Sequence, residues 1–295
     1  MNNGYAIITD SCCDLTKEIV EELQVEVVPM KLMLDGVDYR HFHDFRELSM
    51  ETFFSKLREG HIGQTSCASV GDIMEAMLKN IKNGLNVLYL SLSANMSGSY
   101  NAAVLARKNI MEEYPNANIQ VIDTKSGSVG LGMLVFIASM CKKKGYSFEE
   151  VAKHISENCL NICHYFMVDD LKFLHKTGRI STIGMIAGTT IGVRPIFIIG
   201  DDGKIKLDAK VRGVKMAIRT MVDKVASKCT NSSQLFISHV DAEENANLLA
   251  SQIKEKFPNA NITICPCGPI IGNNTGPGTL AVVFYGNERQ YIKNN

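Results

Sequence analysis

The chain has 295 residues, and because a domain usually contains about 100–200 residues, this length predicts two compact domains. Its 31 Lys and Arg residues balance 31 Asp and Glu residues, so no net charge exists to attract nucleic acid. The N-terminus lacks a signal-peptide pattern, and the longest apolar run, 129–141, is shorter than the roughly 18 residues of a membrane span. We therefore expect a cytoplasmic protein with no integral membrane segment and no nucleic-acid partner.

The first half of the chain alternates short apolar runs with amphipathic segments, which is typical of parallel strands joined by helices. The helix over 129–144 is apolar around nearly its whole circumference, so we expect it to be buried between layers. The predicted strands are 5–9, 25–34, 86–92 and 119–122, and the predicted helices are 14–23, 70–83, 97–114 and 129–144.

The second half has a different pattern, because 195–199, a Gly200–Gly203 turn and 204–207 together predict an antiparallel hairpin. We therefore predict an α/β fold with an N-terminal parallel-sheet domain, 1–160, and a C-terminal mixed or antiparallel α/β domain, 161–295. The other predicted elements here are helices at 214–227 and 242–257 and strands at 234–239, 261–265 and 280–285.

The nine cysteines are odd in number and scattered, so reduced thiols are expected instead of a disulfide framework. Two groups, within 159–164 and 265–267, bring cysteines close together, but neither has the C-x2-C spacing of zinc ligands. The sequence also lacks a nucleotide phosphate loop, a dinucleotide fingerprint and a G-x-S-x-G elbow. We expect neither a metal nor a cofactor.

Small polar residues follow several predicted strands, where ligands of open parallel sheets gather. Ser97 is predicted to be the N-cap of the 97–114 helix, where free N–H groups favour an anion such as a carboxylate. The plainer alternative is that Ser97 only caps its own helix. A hydrolase with Ser97 or Ser126 as nucleophile is a competing interpretation, but no catalytic base is evident.

Two further segments stand out. Residues 171–181 predict a short helix, a glycine turn and a second helix capped by Ser181. Residues 268–278 are so rich in glycine and proline that they predict a loop, which either only turns the chain or closes its backbone over a ligand.

In their order along the chain these segments resemble the DegV family, and the resemblance covers nearly the whole sequence. The matching motifs are Thr9-Asp10-Ser11, Val27-Val28-Pro29, Asp35-Gly36, Thr65-Ser66, Leu92-Ser93, Ser97-Gly98-Ser99-Tyr100, Val121-Ile122-Asp123-Thr124, Phe173-Leu174, Gly178-Arg179-Ile180-Ser181, Arg194-Pro195-Ile196, Lys210 with Arg212, and the 268–278 loop.

The resemblance implies a protein that holds one long-chain fatty acid, such as palmitate or oleate, between two α/β domains. Thr65 and Ser97 match the positions that bind its carboxylate, with Ser93 as the alternative to Ser97. Ser66, Ser93 and Asn274 are expected beside the ligand, and Arg179 and Arg212 are expected to face a partner kinase.

In the family a separate ATP-dependent fatty acid kinase phosphorylates the bound acid, which gives an acyl phosphate for phospholipid synthesis. This chain would then bind and present the acid without catalysing the step. A lipid-responsive regulatory protein remains an alternative. Asn274 departs from the family pattern, which usually has a histidine there, and Arg194 stands where a lysine is common.

Overall fold

The computed structural model describes residues 4–180 and 192–289. Within these ranges no helix combines the length and the apolar character needed to cross a membrane. The predicted Ser181 helix cap lies outside the described residues.

Residues 5–161 contain seven strands, six α-helices and two short 3-10 helices within the described ranges. In chain order they are β1 (Tyr5–Asp10), a 3-10 helix (Ser11–Cys13), α1 (Lys17–Leu23), β2 (Glu26–Val28), β3 (Met30–Leu34), β4 (Val37–His41), α2 (Met50–Arg58), β5 (Gln64–Ser66), α3 (Val70–Lys82), β6 (Asn86–Ser91), α4 (Ser99–Glu113), β7 (Ile119–Asp123), α5 (Val129–Lys143), α6 (Phe148–Asn158) and a 3-10 helix (Cys159–Asn161).

The later residues of the described chain continue this alternation of strands and helices. They form β8 (Ile162–Met167), α7 (Lys172–Lys176), β9 (Val193–Ile199), β10 (Ile205–Arg212), α8 (Val214–Lys228), β11 (Cys229–His239), α9 (Glu243–Lys256), β12 (Ile262–Pro266), α10 (Pro269–Thr275) and β13 (Leu280–Gly286).

Two large sheets confirm the predicted α/β fold. The first is fully parallel in the order β2-β1-β6-β7. The second has six strands in the order β10-β9-β8-β13-β11-β12, with antiparallel pairs everywhere except between β11 and β12. The predicted hairpin is confirmed as β9 and β10. The division into domains after residue 160 stays a prediction.

The predicted strand over 25–34 is wrong, because it is two strands in two different sheets. Pro29 separates β2 from β3, and it has no N–H group with which to continue a ladder. After this residue the chain leaves the parallel sheet and forms a small antiparallel sheet in the order β4-β3-β5. This third sheet was not predicted, and its strands are three to five residues long.

The predicted 268–278 loop is also wrong, because it contains the helix α10. Pro269 occupies the first helical turn, where its missing N–H group costs nothing, and Gly276, with φ of 80°, ends the helix. The sequence reading also missed α6, although Ser147 and Glu150 form a complete capping box at its start.

Helix α5 lies between the two large sheets, as its apolar sequence predicted. Its first seven residues are all buried, and it contacts strands of both sheets. Phe136 meets Phe236 of β11 edge to face, with ring centroids 5.9 Å apart. A Cβ at Gly132 would lie 2.5 Å from the carbonyl oxygen of Cys13, so the helix approaches the neighbouring backbone closely because this residue is glycine.

The two sheets are also joined by one buried cation, Arg289. Its guanidinium donates five hydrogen bonds of 3.0–3.4 Å to backbone carbonyl oxygens, and burial lowers its pKa. The acceptors belong to Lys125, Cys159, Leu160, Ile199 and Gly200. They follow β7, precede β8 and lie at the hairpin turn, so one side chain connects three separate segments.

We expect Arg289→Met to lower the free energy of unfolding by about 2–4 kcal/mol, because it leaves several buried carbonyl groups without donors. Urea denaturation of purified protein measures this change. Arg107→Met, on an exposed position of α4, is the matched control. A loss below about 0.5 kcal/mol, comparable to an ordinary surface substitution, would show that Arg289 does not join the sheets energetically.

Candidate functional site

A cavity of about 380 Å³ lies between several segments of the chain. They are the segment after β1, β5 with the residue that follows it, the segment after β6, helix α10, and α7 with the residues that follow it. Its polar lining residues are Thr65, Ser66, Asn95, Ser97, Arg179, Asn274 and Thr275. Sulfur atoms come from Cys12, Met30, Cys67 and Met96, which the sequence reading did not assign to a site. We call this space the head cavity.

Thr65 lies on β5, the outermost strand of the small sheet. Thr65 pairs with Leu32 of β3, which is fully buried, and this pairing fixes β5 against the core. The Thr65 hydroxyl makes no hydrogen bond to the described part of the chain, so it is available to a ligand. Ser66 also lines the head cavity and is more exposed.

Ser97 lines the head cavity, but its predicted role as helix N-cap is wrong. Helix α4 begins at Ser99, with Gly98 at the N-cap position. The Ser97 Oγ accepts the N–H of Ser99 at 3.2 Å and lies 3.0 Å from the Ser99 Oγ. The hydroxyl therefore sits just before the helix, with its remaining hydrogen-bonding capacity toward the cavity.

Ser93 and Arg212 are not among the residues that the structure places on the cavity wall. The fully buried Ser93 donates to the Gly203 carbonyl at 2.9 Å, in the turn between β9 and β10. Asn95 donates to the Asp202 carbonyl at 2.7 Å in the same turn. Ser93 thus anchors the hairpin, and its place beside a ligand stays a prediction. Arg212 is exposed at the end of β10.

Arg179 lies on the wall of the head cavity, although its predicted position was a surface that faces a kinase. It is the single charged residue on the described wall. Partial burial lowers its pKa, yet it remains a cation at neutral pH, and its guanidinium donates to the Thr177 carbonyl. The signal in the sequence was its place directly after Gly178, where α7 has ended.

Asn274 lies on α10 and lines the same cavity. Its Nδ2 donates to the Ile270 carbonyl at 2.6 Å, one turn earlier in the helix. Its Oδ1 is buried and has no hydrogen-bond partner among the described residues. An amide at this position does not gain or lose a proton near neutral pH, so the wall's charge here is constant.

A second, nearly apolar chamber of about 80 Å³ adjoins the head cavity. Four residues line both spaces, namely Met96, Ile205, Ile271 and Thr275. Beyond them the chamber continues between α5 and the six-stranded sheet, with Val129, Phe166, Ile199, Ala281 and Val283 on its wall. The arrangement joins a polar end to an apolar end.

Two buried carboxylates hold the segments around these spaces. Asp10 accepts the N–H groups of Cys12 at 3.0 Å and Leu92 at 3.1 Å, so it ties the segment after β1 to the segment after β6. Burial raises its pKa to about 6, although these two hydrogen bonds act in the opposite direction.

Asp14 joins more distant parts of the chain. It accepts the N–H of Gly268, at the start of α10, at 2.9 Å and the hydroxyl of Ser128, before α5, at 2.6 Å. Burial raises its pKa to about 7, with the Ser128 and Gly268 hydrogen bonds opposing this rise. The sequence reading missed Asp14, although it follows Asp10 by four residues in the same strand-to-helix segment.

Comparison with known families now identifies the chain. The model described as "Uncharacterised protein, DegV family" matches residues 5–287. The chain belongs to the DegV family. A DegV domain-containing protein of Clostridium perfringens is 35% identical over 288 residues, which are 97% of this chain and 99% of that protein.

Solved structures agree with the DegV assignment. A DegV family protein from Thermus thermophilus, described by its fatty acid binding, has a TM-score of 0.84 at 26% sequence identity. The match covers 96% of this chain and 99% of that chain. The Fak B3 protein of Streptococcus pneumoniae fatty acid kinase, solved with linoleic acid, has a TM-score of 0.85 and covers 96% of this chain with all of its own. At 22% identity this second likeness shows the fold alone.

The hydrolase interpretation requires a base beside Ser97 or Ser126. The described wall of the head cavity contains no histidine that could activate Ser97 as a nucleophile. Ser126 is fully buried, and its hydroxyl is without a partner among the described residues. Within the same ranges no three His, Cys, Asp or Glu side chains cluster as metal ligands.

We expect Asp14→Asn to gain stability relative to wild type as pH rises from about 4 to 7. The unfolded carboxyl has a pKa near 3.9 and the folded one about 7, so the folded state binds the proton more tightly and wild-type stability falls across this window. Asparagine does not titrate and still accepts the Gly268 N–H group. The difference in unfolding free energy should grow by about 2–4 kcal/mol in urea titrations across this range.

Asp38→Asn, an exposed carboxylate on β4, is the control for removing a negative charge. Asp10 is present in both proteins, so only its coupling to the Asp14 charge, the smallest of the causes that shift the Asp14 pKa, enters the difference. A stability difference that stays constant from pH 4 to 7 would contradict the assignment to Asp14.

Proposed function

We propose that this DegV protein binds one long-chain fatty acid, with its carboxylate at Thr65 and Ser97 and its acyl chain directed into the apolar chamber. The bound acid is presented to a separate fatty acid kinase. The observation that carries the proposal is the joining of a polar head cavity with a single cation to an apolar chamber.

The head cavity suits one negative charge. Arg179 supplies one compensating positive charge, and the Thr65 and Ser97 hydroxyls supply hydrogen-bond donors. Hydrogen bonds to a charged acceptor are about twice as strong as bonds between neutral groups. A monoanionic carboxylate is therefore matched in charge and in donors.

The chamber suits a flexible apolar chain. A palmitate tail that leaves water completely buries about 14 methylenes at about 0.8 kcal/mol each, a gross gain of about 11 kcal/mol. The chamber of about 80 Å³ holds only part of such a tail, so in this proposal the space between α5 and the six-stranded sheet widens as the tail enters. Association and ordering take back several kcal/mol, so submicromolar affinity remains attainable with few polar contacts. Met96, at the junction of both spaces, has the flexible side chain best able to adjust to such a tail.

The kinase partnership is what the resemblance of the sequence motifs to the DegV family implies. The Thermus thermophilus neighbour, at 26% identity, is described by its fatty acid binding and supports the ligand part of the proposal. In this proposal the partner supplies the phosphoryl-transfer chemistry in the cytoplasm, and the acyl phosphate serves phospholipid synthesis. Arg212, exposed at the end of β10, remains a candidate contact to that partner.

We expect purified protein to carry about one fatty acid per chain, because the tail is removed from water on binding. Organic extraction followed by mass spectrometry measures the released acid against the protein concentration. Absence of lipid, together with no calorimetric response to added palmitate or oleate, would refute the proposed function.

We expect Thr65→Val and Ser97→Ala each to weaken oleate binding by about tenfold to a hundredfold, since each removes a hydrogen bond to a charged carboxylate. Thr65→Val nearly preserves side-chain volume, so its unfolding free energy should change little. Ser97→Ala also removes the acceptor of the Ser99 N–H group, so its unfolding free energy should fall by about 0.5–2 kcal/mol. Thr220→Val, on a partly exposed position of α8, is the control. Wild-type affinity in both cavity variants would place the carboxylate elsewhere.

A further inference from the structure

The side chain of Asn273 makes two hydrogen bonds to the backbone of Gly63, a residue far from it in sequence. Its Oδ1 accepts the N–H of Gly63 at 2.7 Å, and its Nδ2 donates to the Gly63 carbonyl at 2.9 Å. Asn273 is fully buried. Only one orientation of the amide satisfies both bonds, so the pair fixes the side chain and the backbone relative to each other.

Gly63 belongs to a segment with support from only one neighbouring strand. It directly precedes β5, a three-residue strand at the edge of the small sheet that pairs with β3 alone. A Cβ at Gly63 would lie 2.4 Å from the Met33 carbonyl oxygen, so this backbone is pressed against β3. Asn273 holds the segment from the side of α10, where no strand of the described sheet supports it.

The two hydrogen bonds between Asn273 and Gly63 join two walls of the head cavity. Thr65 follows Gly63 by two residues on one wall, and Asn274 follows Asn273 directly on the other. The start of α10 is itself held by the bond from Gly268 to Asp14. A displacement of β5 relative to α10 would therefore move the Thr65 hydroxyl relative to the rest of the cavity.

We propose that Asn273 is a positioning residue for fatty acid binding, which acts by holding Thr65 at the distance where its hydroxyl meets the carboxylate. This inference rests on the proposed function. Asn273 itself does not line the cavity in the described structure, so any effect on the ligand must pass through the residues that it positions.

The test is a double-mutant cycle in oleate affinity with Asn273→Leu, Thr65→Val and the double variant. Leucine has the same number and branching of side-chain heavy atoms as asparagine, although its methyl groups are bulkier, and it makes neither bond to Gly63. We expect Asn273→Leu alone to weaken binding by about fivefold or more, and by less than about twofold when Thr65 is already valine. A purely structural role would weaken binding by the same factor in both backgrounds.

The matched control is Asn161→Leu, which removes a comparable bond from a part-buried asparagine to the Gly286 carbonyl, away from the cavity. It should lower unfolding free energy while oleate affinity stays within about twofold of wild type. If Asn273→Leu does not fold, Asn273→Ser, which is smaller and keeps one polar group, is measured in the same cycle.

The outcomes separate the two proposals. If wild type does not bind oleate, the proposed function fails. If wild type binds and the Asn273 variant binds equally well, or if its loss is the same with threonine or valine at position 65, then Asn273 does not position Thr65 and the inference is overturned while the binding function stands.

Discussion

The constraint on which the cavity depends is the burial of Asp14. A carboxylate away from water must find donors within the protein, and those within its reach are the Gly268 N–H group and the Ser128 hydroxyl. Gly268 and Ser128 lie 254 and 114 residues from Asp14 in the sequence. By satisfying one charge, the fold sets the starting points of both α10 and α5, which form walls of the head cavity and the apolar chamber.

This dependence explains why so little charge lies at the site itself. The structural carboxylates are behind the walls, where backbone and hydroxyl donors occupy them, and the described lining keeps Arg179 as its single charge. A second cation or an exposed carboxylate would unbalance a monoanionic ligand. In the proposed function the compensating charge comes from Arg179 on the wall, while Asp10 and Asp14 stay hydrogen-bonded behind it.

The sequence predicted what local patterns determine. Thr65 and Ser97, proposed from motifs in two separate segments, do line one cavity, and the two large sheets are parallel and mixed as predicted. The errors arise where a single residue decides between alternatives, as Pro29 does by dividing one apolar run between two sheets. Contacts such as that between Asn273 and Gly63 have no local pattern at all, because they join residues 210 positions apart.

Arg289 is the last described residue, so its hydrogen bonds can form only after all the described strands have been synthesised. A ribosome adds roughly 5–20 residues per second, so the parallel sheet, complete at residue 123, is synthesised roughly ten seconds or more before this arginine. A nascent chain that stopped just short of residue 289 would hold every described strand and still lack the five hydrogen bonds that Arg289 donates to the segments after β7, before β8 and at the hairpin turn.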